Sequence, residues 1–161
     1  MSYTVVYASK TGNTAFLAKS LAEALPEQDI VCLPAAGAQV PDSDILFVGF
    51  WTDKGDCDPD TAAFLAKLQN KRVFLFGTAG FGGDPQYFSD ILGRVRAHLA
   101  PSNLVIGHFM CQGRMPDAVR RRFEALPPKE ASKQLENFDR ALSHPDDDDA
   151  AQLVRAAIGC L

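Results

Sequence analysis

A group of hydroxyl and amide side chains lies close to the start of the chain. The stretch SKTGNT, residues 9–14, follows an apolar segment and precedes an amphipathic one. Hydroxyls and the free N–H groups at a helix start bind phosphate oxygens, because the helix dipole is positive there. A glycine in the turn lets the backbone approach the phosphate. The stretch predicts a phosphate site built from Ser9, Lys10, Thr11, Gly12, Asn13 and Thr14.

This short motif has an alternative interpretation as an ordinary polar turn between a strand and a helix. It is neither the G-x-x-x-x-G-K-[ST] loop of P-loop proteins nor the G-x-G-x-x-G of dinucleotide-binding folds. Its place at the end of the first predicted strand favours the phosphate site.

Two further loops have compositions that suit a flat ligand. WTDKGDCD, residues 51–58, offers an aromatic ring, and TAGFGGD, residues 78–84, offers glycines and a second ring. Trp51 could instead be a core aromatic beside its strand. The binding residues predicted in these loops are Trp51, Thr52, Asp53, Lys54, Gly55, Thr78, Ala79, Gly80, Phe81 and Gly82.

The surrounding elements explain why the three loops should meet. Five apolar stretches read as strands, at 3–7, 29–33, 44–50, 72–77 and 103–110, and amphipathic stretches follow the first, third and fourth. Strands alternating with helices at this spacing predict a doubly wound α/β domain with helices on both faces of a parallel sheet. With strand order 2-1-3-4-5, the ligand crevice lies where the order reverses.

The C-terminal part of the chain departs from this alternation. We expect one domain over 1–161, in which a helical insertion at 111–145 precedes the closing helix. The aspartates at 146–149 fit a capping role, since negative charge is favoured at a helix N-terminus, with a functional acidic tail or metal site as the alternative.

These motifs resemble the flavodoxin family. Ser9, Thr11, Gly12 and Thr14 match its [TS]-x-T-G-x-T phosphate signature, and the two later loops and HPDDDDA extend the likeness over nearly the whole chain. FMCQGRMP, residues 109–116, is similar to the flavodoxin-like proteins associated with bilirubin reductases. The resemblance implies that the cofactor is FMN, with its ring between the second and third loops.

The predicted function is electron transfer to a redox partner protein. The aspartates Asp53, Asp56, Asp58 and Asp60 would disfavour the anionic reduced flavin and give a low potential, with Lys54 opposing them. The alternatives are an NAD(P)H-dependent FMN or quinone reductase on the same fold, and a non-redox module that binds another phosphorylated ligand. The arginines 120–122 are either a solvated helix face or a docking patch.

Composition limits the other possibilities. The formal net charge of −4 disfavours nucleic acid as a partner, and the chain has no apolar run of about 20 residues, so we expect a cytoplasmic protein without a membrane partner. Its four cysteines lack metal-ligand spacing and should be reduced structural thiols, and we expect no metal site. The sequence offers no nucleophile and base pair for catalysis by side chains.

Overall fold

The fold is an α/β structure whose sheet carries helices on both faces. The computed structural model describes residues 1–34, 39–82 and 84–161. The strands are β1 (Tyr3–Ala8), β2 (Gln28–Leu33), β3 (Ile45–Asp53), β4 (Asp56–Cys57), β5 (Arg72–Ala79) and β6 (Leu104–Gln112). The helices are α1 (Asn13–Ala24), α2 (Pro59–Ala66), α3 (Pro85–Arg96), α4 (Asp117–Glu124), α5 (Pro128–Ala141) and α6 (Asp147–Ile158).

Five strands form a parallel sheet in the order β2-β1-β3-β5-β6. This confirms the predicted doubly wound topology and strand order. The short strand β4 was not expected: it pairs antiparallel with the end of β3, with Thr52 opposite Cys57 and Asp53 opposite Asp56. The second predicted loop is therefore a β-hairpin built onto β3.

Two hydrophobic clusters cover the two faces of the sheet. One contains Phe64 of α2 and Ile91 of α3, and the other contains Leu17 of α1 and Leu153 of α6. The residues 45–48 of β3 are fully buried because both faces are covered, which explains why this strand is continuously apolar.

Glycine and phenylalanine alternate across the centre of the sheet, just before the strands reach the crevice. Gly49 lies opposite Phe76, and Phe50 lies opposite Gly77. A Cβ atom at either glycine would overlap the ring of its phenylalanine partner. Each ring thus folds over the neighbouring strand, and only glycine leaves room for it.

The predicted insertion is helical, but it begins later than expected. β6 continues through Cys111 and Gln112, so these two residues belong to the sheet, and α4 begins at Asp117. Asn137 and Phe138 of α5 are buried, whereas α4 has no buried residue. The insertion is therefore attached to the fold chiefly through α5.

Arg120 connects the two helices of the insertion. Its Nη1 donates to Asp139 Oδ1 at 2.6 Å, and its Nε lies 3.3 Å from Glu124 Oε1. Its guanidinium carbon lies 5.4 Å from the ring centroid of Phe138. Arg120 thus stabilises the packing of α4 on α5. This member of the predicted basic run 120–122 has a structural role.

The aspartates at the start of α6 have the predicted capping role, and Asp146 and Asp149 form a capping box. Asp146 Oδ1 accepts from the N–H of Asp149 at 2.8 Å, and Asp149 Oδ2 accepts from the N–H of Asp146 at 2.9 Å. His144 Nδ1 lies 2.6 Å from Asp149 Oδ2. These contacts satisfy backbone donors that would otherwise lack partners at the helix start.

Within the described residues, none of the helices has the length and apolar character needed to cross a membrane.

We expect Gly77→Ala to lower the free energy of unfolding by about 1–3 kcal/mol, because the added methyl group overpacks against Phe50. Urea denaturation of the purified protein measures the effect. Gly93→Ala is the control: it lies inside α3 and its added Cβ meets nothing within 4 Å, so the change should be neutral or stabilising. An equal loss in both variants would show that the Phe50 contact is not the cause.

Candidate functional site

A cleft of about 500 Å³ opens at the carboxyl ends of β1, β3 and β5. The strand order reverses between β1 and β3, so this is the place where a doubly wound sheet holds a ligand. The three predicted loops meet here. Eleven predicted residues line the cleft: Lys10, Thr11, Asn13, Trp51, Thr52, Lys54, Gly55, Thr78, Ala79, Gly80 and Phe81.

The other predicted residues lie beside the cleft. Ser9 Oγ accepts from the N–H groups of Gly12 and Ala15, both at 3.2 Å. The hydroxyl of Thr14 is buried and donates to the carbonyl of Phe50 at 3.0 Å. These two side chains fix the shape of the first loop, and their direct contact with a ligand stays a prediction. Gly12, Asp53 and Gly82 also lie outside the lining.

The first loop ends in the backbone geometry that the sequence suggested. Gly12 has a φ of 98° and directly precedes α1, so the loop turns into the helix through a conformation that glycine adopts at little cost. The hydroxyl of Thr11 and the ammonium of Lys10 border the cleft beside this helix start. An anionic group in the cleft would therefore meet hydroxyl, ammonium and backbone N–H donors.

The hairpin between β3 and β4 turns at Lys54 and Gly55. Their φ angles are 52° and 82°, and two successive positive values are typical of a type I′ turn. Arg94 Nη1 of α3 donates to the carbonyl of Gly55 at 2.9 Å. His98 Nε2 lies 2.9 Å from Asp56 Oδ2. Two side chains at one-turn spacing therefore hold the hairpin tip against α3.

Ionisable groups in this hairpin are shifted by burial and hydrogen bonding. Burial raises the pKa of Asp56, but hydrogen bonds from His98 and the Cys57 N–H outweigh it and leave the pKa below its ordinary value. Burial raises the pKa of Cys57 to about 12, so its thiol is neutral near pH 7. Such a thiol is a poor nucleophile, in keeping with a structural role.

Aromatic side chains stand on two sides of the cleft. Lys10 Nζ lies 5.1 Å from the ring centroid of Trp51, which lines the cleft and also packs against the core. Phe81 is 37% exposed, and its ring centroid lies 6.1 Å from Tyr87 and 6.2 Å from Phe123. A planar ligand could contact these rings from either side.

A fourth side of the cleft is formed by residues from the segment 113–122, which were not among the predicted binding residues. Gly113, Arg114, Met115, Pro116, Ala118, Val119 and Arg122 line the cleft. The backbone N–H of Gly113 donates to the carbonyl of Ala79 at 2.8 Å, and Asn13 Nδ2 donates to the carbonyl of Arg114 at 2.9 Å. Gly113 directly follows β6, so the rule that ligands lie beyond the carboxyl ends of strands could have found it.

The insertion is hydrogen-bonded to the third loop at the carbonyl of Gly80. This carbonyl accepts from Gln112 Nε2 and from Asn137 Nδ2, both at 3.1 Å. Gln112 Nε2 also lies 3.0 Å from Asn137 Oδ1. Asn137 is 6% exposed, so these amides satisfy one another within a buried network. Met115 lies against Gly80, where an added Cβ would come within 2.5 Å of its sulfur.

Comparison with known proteins now identifies the family. The model of the flavodoxin domain matches residues 4–158. This chain belongs to the flavodoxin family. It is 36% identical over 173 aligned residues to a flavodoxin-like domain-containing protein BilS of Clostridium symbiosum, covering 94% of this chain and 91% of the relative. It is 31% identical to a BilS protein of Clostridioides difficile over 91% of this chain and 89% of the relative.

Solved structures show the same flavodoxin fold at low identity. Oxidised flavodoxin 2 of Bacillus cereus matches with a TM-score of 0.57 and 15% identity, covering 99% of this chain and 97% of its own. A Lactobacillus acidophilus flavoprotein in complex with FMN matches with a TM-score of 0.55 and 14% identity, covering 68% of this chain and 92% of its own. The predicted family and fold are confirmed.

The residues of this flavodoxin site fit FMN. Thr52 Oγ1 is buried, borders the cleft, and has no hydrogen-bond partner among the described residues. A buried hydroxyl without a partner is costly, and a polar edge of a flavin would satisfy it. With the hydroxyl loop at one end and aromatic rings at the sides, the donor set agrees with a phosphate tail and a planar ring.

We expect Asn137→Ala to weaken FMN binding even though Asn137 does not line the cleft. The change removes one donor to the Gly80 carbonyl and loosens the loop before Phe81, and the broken buried network should cost about 1–3 kcal/mol of unfolding free energy. Titration of FMN and urea denaturation measure the two effects. Ser132→Ala, an exposed change on the same helix, is the control and should alter neither. Unchanged FMN affinity in Asn137→Ala would contradict this role.

Proposed function

We propose that this flavodoxin domain binds FMN and transfers electrons to and from a redox partner protein. The observation that carries the proposal is the meeting of the phosphate-type loop, the aromatic hairpin and the glycine loop in one cleft at the sheet's switch point. The family match over residues 4–158 and the FMN-containing structural neighbour support the same cofactor.

The protein's own side chains have distinct tasks in this proposal. Lys10, Thr11 and the backbone at the start of α1 bind the phosphate, while Ser9 and Thr14 keep the loop in shape. Bound FMN supplies the redox chemistry, so no catalytic side chain is required. The exposed edge of Phe81 marks the open side of the cleft, where a partner can approach.

A second candidate is a reductase that oxidises NAD(P)H and passes electrons to a small acceptor on the same flavin. The lining from segment 113–122 favours this reductase, because Met115, Pro116 and Val119 add apolar surface to one side of the cleft. Such a surface could position a small substrate beside the flavin ring.

We expect the FMN-free protein to bind FMN at least tenfold more tightly than riboflavin, because each lost charge-assisted hydrogen bond costs about 1.5–3 kcal/mol. Fluorescence titration with both ligands measures the ratio. Thr11→Val should weaken FMN binding and leave riboflavin binding unchanged, since only FMN carries the phosphate. If neither flavin binds, the protein is not a flavoprotein, and the proposal of another phosphorylated ligand replaces this one.

We expect the FMN-loaded protein, once reduced, to pass electrons rapidly to a redox protein and to oxidise NADPH with a quinone at only a background rate. An electron carrier requires a partner to deliver its electrons, whereas a reductase accepts them directly from the nicotinamide. Steady-state NADPH absorbance with and without a quinone distinguishes the two. Sustained turnover without any added protein would establish the reductase instead.

A further inference from the structure

Three side chains with metal-binding donor atoms converge beside the hairpin. The donor atoms of Asp56, Cys57 and His98 all lie within 4.8 Å of one another. His98 Nε2 lies 2.9 Å from Oδ2 and 3.1 Å from Oδ1 of Asp56, so the imidazole nitrogen faces both carboxylate oxygens. These three residues do not belong to the lining of the cleft. The cluster is therefore separate from the proposed flavin site.

The donor types in this cluster match the preferences of zinc. Imidazole nitrogen, thiolate sulfur and carboxylate oxygen are the ligands that zinc takes in proteins, and a tetrahedral ion then needs one further ligand, which water can supply. A thiolate and a carboxylate together balance the charge of a divalent cation, and a neutral imidazole adds none. Magnesium and calcium prefer oxygen ligands, so the sulfur disfavours them.

The cluster is enclosed on one side and open on the other. Cys57 is 6% exposed and packs into the hydrophobic core below the hairpin. The side chains of His98 and Asp56 are 32% and 34% exposed. An ion and its water ligand can therefore reach the donors from solvent, while the sulfur lies at the inner end of the site. The low dielectric on that side strengthens the attraction between a cation and the thiolate.

The electrostatic surroundings of the thiol also favour a cation. Burial raises the pKa of Cys57 to about 12, and the nearby carboxylates of Asp56 and Asp58 add to that shift. The same carboxylates that disfavour a bare thiolate attract a positive ion. A metal ion deprotonates the thiol that coordinates it, so the thiol proton leaves to solvent as the zinc–sulfur bond forms.

We propose that Asp56, Cys57 and His98 form a zinc site that fastens the hairpin to the end of α3. Asp56 and Cys57 make up β4, and His98 lies just after α3, 42 positions from Asp56. This separation explains why no metal-ligand spacing is visible along the chain, and the inference replaces the expectation of no metal site. It goes beyond the proposed function, because it does not require FMN.

A second cluster of similar residues provides an internal comparison. The donor atoms of His144, Asp146 and Asp149 also lie within 4.8 Å of one another. Asp146 and Asp149 each accept from the backbone N–H of the other, so an ion there would compete with the capping box of α6. This cluster also lacks a thiol. The proposal is therefore confined to the cluster at the hairpin.

The experiment adds Zn²⁺ to the protein as purified, with its thiols kept reduced, and measures zinc affinity by competition with a chromogenic chelator. We expect one zinc ion per chain. Cys57→Ser and His98→Gln should each weaken zinc binding by at least about a hundredfold, because even the loss of a partner outside the ligand shell costs about 10–100-fold. His98→Gln changes a half-exposed side chain, so it keeps the test valid if Cys57→Ser fails to fold.

Cobalt reports the geometry of the same site. Tetrahedral Co²⁺ absorbs strongly in the red, where oxidised flavin does not absorb, whereas octahedral Co²⁺ absorbs weakly. We expect a tetrahedral spectrum in the wild type and its loss in Cys57→Ser and His98→Gln.

The matched controls are His144→Gln, from the capping-box cluster, and Cys32→Ser, which removes an exposed thiol outside both clusters. Both should leave the zinc affinity and the cobalt spectrum unchanged. A loss in either control as large as that in His98→Gln, an octahedral cobalt spectrum, or no zinc retained against the chelator overturns the inference. Because the measurement does not depend on flavin, a failure to bind FMN would overturn the proposed function and leave the zinc site standing.

Discussion

The carbonyl oxygen of Gly80 is where the sheet, the third loop and the insertion are joined. Two side-chain amides donate to it, Gln112 from the end of β6 and Asn137 from within α5. Asn137 is buried, so losing Gln112 would leave the Asn137 Oδ1 without its donor, and the cost is larger than that of an exposed hydrogen bond. The insertion therefore does more than add a surface to the flavodoxin fold. It determines where the loop before Phe81 lies.

Hydrogen bonds between different elements also fix the other loops around the cleft. Asn13 of the phosphate loop donates to the carbonyl of Arg114, and Arg94 of α3 and His98 just after it hold the hairpin at Gly55 and Asp56. The hairpin and the third loop are thus supported by side chains from other elements, and the phosphate loop is tied to the 113–122 segment through its own Asn13. Such support reduces the ordering required on binding, and hence its entropic cost.

Contacts of this kind also determine where the charged side chains lie. Asp58 caps α2 and Asp56 lies within hydrogen-bond distance of His98, whereas the charged residues that line the cleft in the described part of the chain are lysines and arginines. In the basic run of α4, Arg120 is used to pack α5 and Arg122 borders the cleft. The formal net charge of the chain and the charge of the side chains that line the cleft therefore have opposite signs.

Most of the elements, and the place where they bring the binding loops together, follow from the pattern of residues along the chain. Continuous apolar strands separated by helices require a parallel sheet, and parallel strands bring the loops after β1, β3 and β5 to one edge. Glycine and hydroxyl side chains at the end of the first strand then predict a phosphate loop. These features depend on neighbouring residues in the chain, so their pattern is visible without coordinates.

Which side chains face the cleft depends on contacts between segments that are far apart in the chain. Thr14 matches the phosphate signature, yet its hydroxyl donates to the carbonyl of Phe50. The carboxylate of Asp58 accepts from the hydroxyl of Thr61. Residues from the 113–122 segment line the cleft because contacts between distant parts of the chain hold them there, among them the hydrogen bond from Asn137 to Gly80, more than 50 positions away. A side chain's partner is set by packing between distant segments, and composition and spacing along the chain carry no record of that choice.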